Sequence, residues 1–198
     1  IVTKIREYGG YVIANEVTTG TGRTGKWFGY NHYELIPDIV AIGKGLGNGY
    51  PVSCVAIAKP VIERVDFNEF HYSQSHQNDP LGAAIAKEVI GIIEDDLLLE
   101  RAVGLGDMIQ SRMNEIRCKY GIIKEVRGRG LMIAIEFEKN DRYSLAKAIN
   151  EELLRRNIIL VNRPGRETFR IDPALTIEEA HIEYFLSSIE QIISNMKK

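Results

Sequence analysis

Apolar positions fall along the chain in two rhythms. In the first half they form short unbroken runs: Tyr11 to Ala14, Asp38-Ile39-Val40-Ala41-Ile42, and Val52 to Ala58. Runs this continuous predict buried strands, covered on both faces by helices. Ahead of them, Val2 to Tyr8 reads as the last turns of a helix that Gly9-Gly10 stops. Between the first two strands, Thr18 to Gly29 is rich in glycine, threonine and charge and predicts a long loop. A helical rhythm takes over at Pro80, where Leu81, Ala84, Ile85, Val89 and Ile92 recur at three- and four-residue steps up to Glu94. Proline suits that first turn. After Asp95-Asp96 a second amphipathic helix is expected from Leu97 to Tyr120, ending at Gly121.

Beyond that point the grammar changes. A strand is expected at Leu131 to Phe137, a helix at Ser144 to Arg156, and strands at Ile158 to Val161 and Thr168 to Ile171. Thr176, with Glu179 three residues on, predicts a capping box for a last helix, Ile177 to Asn195. The pattern as a whole is α/β: part of a mostly parallel sheet over residues 1–105, then a small α+β domain over 106–198.

Bulk numbers narrow the function classes. The 198 residues carry a formal net charge of -2, which argues against a nucleic-acid binder. No run approaches the roughly 18 apolar residues of a membrane span. Cys54 and Cys118 stand in unrelated contexts. They suit buried or idle thiols of a reducing compartment better than a disulfide frame or a metal site, and a cytoplasmic location is expected. Opening at Ile1 inside the end of a helix, the chain is expected to continue upstream.

Candidate chemistry centres on Ala41-Ile42-Gly43-Lys44-Gly45-Leu46-Gly47-Asn48-Gly49-Tyr50-Pro51. Here a lysine follows a buried strand inside a glycine-rich loop. The glycines predict tight turns and close approach of backbone to something bulky. A desolvated lysine amine at such a place can attack a carbonyl and form a Schiff base. A solvated lysine on an ordinary loop gives the same local pattern. The strand ending in Asn15-Glu16-Val17 sharpens the choice. Alternation puts Asn15 and Val17 on one side and Glu16 on the other. One polar head and one branched apolar group suit the edge and face of a flat ring, although a strand end turning into a polar loop looks alike.

These segments carry a resemblance. Asn15-Glu16-Val17, Thr18-Thr19-Gly20 and Gly22-Arg23-Thr24-Gly25, followed by Pro37-Asp38-Ile39 and Lys44 to Pro51, resemble the cofactor strand and lysine loop of class III aminotransferases. That family is of the ornithine, acetylornithine and omega-amino acid type. The resemblance covers essentially the whole chain, but about the second half of such an enzyme. It implies the large domain of a fold type I pyridoxal-phosphate (PLP) enzyme, continued into a small C-terminal domain. It further implies amino-group transfer between an amino acid or amine and a keto acid, in a homodimer with a shared active site.

Residue by residue, the resemblance makes Lys44 the Schiff-base lysine and places Asn15, Val17 and Thr18 around the cofactor ring. By alignment on Pro80-Leu81, Ser75 takes the place of the residue that reaches a neighbouring subunit's cofactor phosphate; a polar loop capping the helix at Pro80 is the alternative. The arginines of Val126 to Met132 resemble those of the family's small-domain border and read as structural. Arg170, in Phe169 to Thr176, takes the place of an arginine that grips the substrate carboxylate, and a surface ion pair with Asp172 is the other reading.

Two departures matter. Asn15 stands where the family has Asp, whose charge keeps the ring nitrogen protonated. Thr18 stands where the family often has Gln. The first implies a slow or specialised transaminase. Another PLP enzyme on the same scaffold (aminomutase, racemase, decarboxylase) and a non-catalytic paralogue stay open as alternatives. The family's phosphate-cradling turn and ring-stacking aromatic precede the part matched, so this chain alone is expected to bind PLP weakly.

Overall fold

A computed structural model describes residues 1–66, 68–162 and 165–196. Two compact units emerge, Ile1–Leu99 and Glu100–Lys198.

The first unit opens with α1 (Val2–Glu7). Gly9 and Gly10 close it as the sequence predicts: their amides donate to Arg6 O at 3.0 Å and Ile5 O at 2.9 Å, with Gly9 at φ 73°. Three strands follow, β1 (Ile13–Asn15), β2 (Ile39–Ile42) and β3 (Cys54–Ile57), in the order β1-β2-β3. β1 runs parallel to β2, and β3 antiparallel. A short α2 (Lys59–Ile62) precedes α3 (Pro80–Asp95).

The expected strands form, but not the expected covering. β3 is exposed along its length, with Val55 at 60%, and Ile13 in β1 is 64% exposed. Apolar runs create the strands through β-propensity and pairing. Among the described residues of this unit, no second layer covers these positions. Nor is the sheet mostly parallel here, since one of its two pairings is antiparallel.

α4 (Leu98–Tyr120) leads into the second unit, where β4 (Ile123–Arg129), β5 (Met132–Phe137), α5 (Leu145–Arg155), β6 (Val161–Asn162), β7 (Thr168–Ile171) and α6 (Glu179–Met196) follow in order. The four strands form an antiparallel sheet in the order β4-β5-β7-β6. Alternation is clean: Ile133, Ile135 and Phe137 of β5 and Phe169 and Ile171 of β7 are buried. They join Ile109 and Met113 of α4, Ile149 and Leu153 of α5, and Leu186 and Ile189 of α6 in one apolar core. Phe137 and Phe169 meet edge to face at 5.0 Å.

Three sequence expectations change in this unit. β4 is a full strand that the pattern did not reveal, because Lys124, Glu125, Arg127, Gly128 and Arg129 are exposed and carry no apolar alternation. The strand expected over Ile158 to Val161 is confined to Val161–Asn162. Its first residue is taken by the end of α5: the Ile158 amide returns to Leu153 O at 2.9 Å, past Asn157 at φ 60°. Thr176 is not the cap of the last helix. It lies in a turn closed by the Ile177 amide on Ala174 O at 3.1 Å, Ile177 packs against the core, and α6 starts at Glu179.

Candidate active site

The C-terminal ends of β1 and β2 lie side by side, with Asn15 paired to Ala41 and the Glu16 amide donating to Ala41 O at 2.8 Å. That pairing carries the chain on both strands to the same edge. Past β1 come Glu16, Val17 and Thr18; past β2 come Gly43 and Lys44. Val17 stands next to Gly43, where an added Cβ would lie 3.7 Å from Val17 Cγ1. Lys44 Nζ donates to Thr18 Oγ1 at 2.9 Å. Asn15 is exposed, and its Oδ1 accepts from the Val17 amide at 3.2 Å. Alternation holds here too: Glu16, between two more open neighbours, is buried.

Glu16 is the residue that sequence reasoning passed over. At 4% exposure, it accepts from Thr19 Oγ1 at 2.6 Å, the Gly29 amide at 2.8 Å and the Tyr30 amide at 2.9 Å. A carboxylate so enclosed ties both ends of the 16–30 loop together, and that loop positions Thr18. Burial, and then the Glu16 charge, push the Tyr30 phenol above its ordinary range. No sequence signal marks it, because two of its partners are backbone amides thirteen and fourteen residues away.

The lysine loop differs from its expectation in an informative way. Lys44 itself adopts a left-handed backbone, at φ 44°, as does Asn48, also at φ 44°, while Gly49 follows at φ 105°. For an L residue this costs about 1 kcal/mol, and such strain persists where the surroundings over-determine it. At Gly47 the bulky neighbour is the chain itself: a Cβ there would meet Tyr50 O at 2.1 Å and Val52 Cγ1 at 2.6 Å. A concavity of about 430 Å³ opens on the loop, lined by Lys44, Gly45, Asn48, Gly49, Tyr50, Pro51 and Val52. Lys44 is exposed rather than desolvated, because this concavity is open to solvent.

Ser75 and Arg170 are the remaining sequence candidates. Ser75 is exposed, in the turn that precedes α3, and does not line the concavity. Arg170 belongs to the second unit. Strand alternation places it away from the core, beside Ala134 and Val161. Its guanidinium pairs with Asp172 at 2.7 Å, and its Nε is shut off from solvent with no hydrogen-bond partner among the described residues. No cluster of three or more His, Cys, Asp or Glu side chains suited to a metal ion occurs among the described residues. No helix among them is long and apolar enough to cross a membrane.

Comparison with known proteins agrees in family and in fold. Residues 3–193 match the Aminotransferase class-III family. Ornithine aminotransferase 1 of Staphylococcus aureus (strain MRSA252) is 35% identical over 93% of this chain and 44% of its own length. A leucine/methionine racemase from Thermococcus litoralis is 31% identical over 97% of this chain and 44% of its own. The crystal structure of acetylornithine aminotransferase from Elizabethkingia anophelis superposes with a TM-score of 0.88 at 29% identity, over 98% of this chain and 48% of that one. The chain thus spans about half the length of the curated relatives it matches. It belongs to the class-III aminotransferase family.

Proposed function

We propose that this chain supplies the cofactor lysine of a PLP-dependent transaminase, with Lys44 as the residue that holds the cofactor covalently. One observation carries the reading: Lys44 is held in a strained left-handed backbone at the end of β2, its amine tied to Thr18 and opening on a concavity. The surrounding residues fit a pyridine ring. Asn15 and Val17 share one side of the β1 strand end, giving an amide for the ring edge and a branched apolar group for its face. PLP, when bound, supplies the electron sink that makes the substrate α-hydrogen acidic.

The chain's own groups do the rest. Lys44 would hold the cofactor, and its amine would move the proton at the substrate α-carbon. Thr18 Oγ1 aims that amine. Asn15 would offer the ring nitrogen a neutral amide, where a carboxylate would hold a proton. This supports a slower or more specialised transfer than an aspartate would give. Ser75, exposed ahead of α3, is assigned to the phosphate of a second copy's cofactor in a homodimer. Arg170 is assigned to a substrate carboxylate, for which its planar fork is suited; one nitrogen of that fork pairs with Asp172. The substrates are an amino acid or amine and a keto acid, and the setting is the cytoplasm. The two units correspond to the C-terminal part of a fold type I large domain and to a small α+β domain.

Product analysis tests the reaction. The cofactor-loaded protein, given one amino acid, is expected to need a keto acid for turnover. Turnover with a single amino acid, yielding its mirror image or a decarboxylated amine, sinks the transaminase reading and favours another reaction on the same scaffold.

A further inference from the structure

Asp79 makes two hydrogen bonds that serve different ends. Its Oδ1 accepts from the Leu81 amide at 3.1 Å, capping α3. Its Oδ2 accepts from the Tyr50 hydroxyl at 2.9 Å. Tyr50 is part of the wall of the concavity onto which Lys44 opens. A second, apolar contact runs alongside: a Cβ added to Gly82, in the first turns of α3, would lie 3.4 Å from Val52 Cγ2 and 3.5 Å from Tyr50 Cε1. The segment from Lys44 to Val52 is thus fastened to α3 at its far end, by one polar and one apolar contact.

That segment needs fastening. Lys44 and Asn48 both sit at φ 44°, a conformation that non-glycine residues leave unless neighbours hold them there. The hydroxyl of Thr18 holds only the tip of Lys44, through its amine. The Lys44 carbonyl accepts from the Gly47 and Asn48 amides at 3.0 and 3.2 Å, and Gly47 O in turn accepts from the Tyr50 amide at 2.9 Å, so the turn runs on to the pinned Tyr50.

We propose that Tyr50 and Asp79 form a latch that fixes the lysine loop against the start of α3 and so positions the backbone of Lys44. Tyr50 and Asp79 are positioning residues in this arrangement, and neither needs to touch a reacting atom. Its bearing on the cofactor rests on the reading of Lys44 given above, whereas the latch is a property of the chain by itself. The two groups shift in opposite directions, as a shared hydrogen bond between phenol and carboxylate requires. The bond to Asp79 is the foremost cause raising the Tyr50 phenol, and the bond to Tyr50 is the foremost cause lowering the Asp79 carboxyl. Both shifts favour the pairing of protonated phenol with charged carboxylate that holds at neutral pH.

The experiment compares the full chain with Tyr50→Phe, Asp79→Asn and the double variant. Asparagine is as good an N-cap as aspartate, so α3 keeps its start. Amide hydrogen exchange of residues 44–52, measured without cofactor, is expected to rise about threefold in each single variant and no further in the double. Amides of α3 stay unchanged in Asp79→Asn. Phenolate absorbance assigned to Tyr50, by difference from Tyr50→Phe, moves to lower pH in Asp79→Asn. The yield of borohydride-reduced PLP on Lys44 falls in step with loop protection. Unchanged loop exchange in Tyr50→Phe, or single effects that add independently, overturns the latch. If the parent chain, given PLP at a concentration that saturates weak binding, traps none on Lys44 while loop exchange still rises in the variants, the latch stands and the cofactor reading fails.

Discussion

Lys44 Nζ donates to Thr18 Oγ1 at 2.9 Å, which joins the loop after β2 to the loop after β1. The bond gives the amine one direction out of the many that four flexible bonds would allow. Replacing Thr18 with Val keeps the shape and removes the acceptor. Trapping of PLP by borohydride on Lys44 is expected to slow about threefold, the loss of an orienting contact at an open site. The unfolding midpoint should be unchanged, because Lys44 is exposed.

Backbone strain at Lys44 separates function from stability. Glycine tolerates φ 44° freely, so Lys44→Gly removes the amine and relieves the strain together. The variant should lose covalent PLP entirely and gain up to about 1 kcal/mol of stability, less the entropy glycine adds to the unfolded chain. Urea unfolding reads the second effect. A marked loss of stability in Lys44→Gly would show that the lysine side chain holds the loop, and not the reverse.

Glu16 should be the most stability-sensitive residue near the site. Truncating it to Ala strands the part-buried amides of Gly29 and Tyr30, at a cost of about 1–3 kcal/mol. Glu16→Gln keeps acceptor capacity and should cost less. Amide exchange at Gly29 and Tyr30 distinguishes this from a general loss of stability, since those two amides should lose protection first.

Much of this was legible in the sequence, and the reasons are local. Strands β1, β2 and β3 are found from their apolar runs, and α3 from its period and Pro80. Asn15, Val17, Thr18 and Lys44 converge because parallel pairing of β1 with β2 brings both C-terminal ends to one edge. What was hidden depends on contacts across sequence distance. The burial of Glu16 needs the amides of Gly29 and Tyr30, and the bond between Tyr50 and Asp79 spans 29 positions. β4 escaped because its exposed charged residues hide its period.

Acid should weaken the second unit through defined pairs. The Glu190 carboxyl is held below its ordinary range, foremost by its hydrogen bond from Lys119, and that of Glu136 likewise, foremost by Lys124. Their folded values lie below their unfolded ones. The stability they contribute is therefore fully present above the ordinary carboxylate range and is lost as pH falls through the lowered values. Replacing Glu190 with Gln should flatten the acid limb of the melting temperature against pH and leave the neutral-to-alkaline part parallel to the parent's.

The proposed reading puts Asn15 at the ring nitrogen. In the cofactor-loaded protein, Asn15→Asp would then give that nitrogen a charged partner. Conversion of the bound cofactor to its amine form by an amino donor should accelerate about tenfold or more, as for other charge-stabilising contacts. Equal rates would show that the ring nitrogen is not served by this position.

The most direct test of the central claim is the covalent one. The chain is incubated with saturating PLP, reduced with borohydride and digested, and the reduced mark is located by mass. The account predicts that the mark concentrates on the peptide containing Lys44 and vanishes in Lys44→Gly. A mark spread evenly over the chain's exposed lysines, with Lys44 no more labelled than the rest, would contradict it.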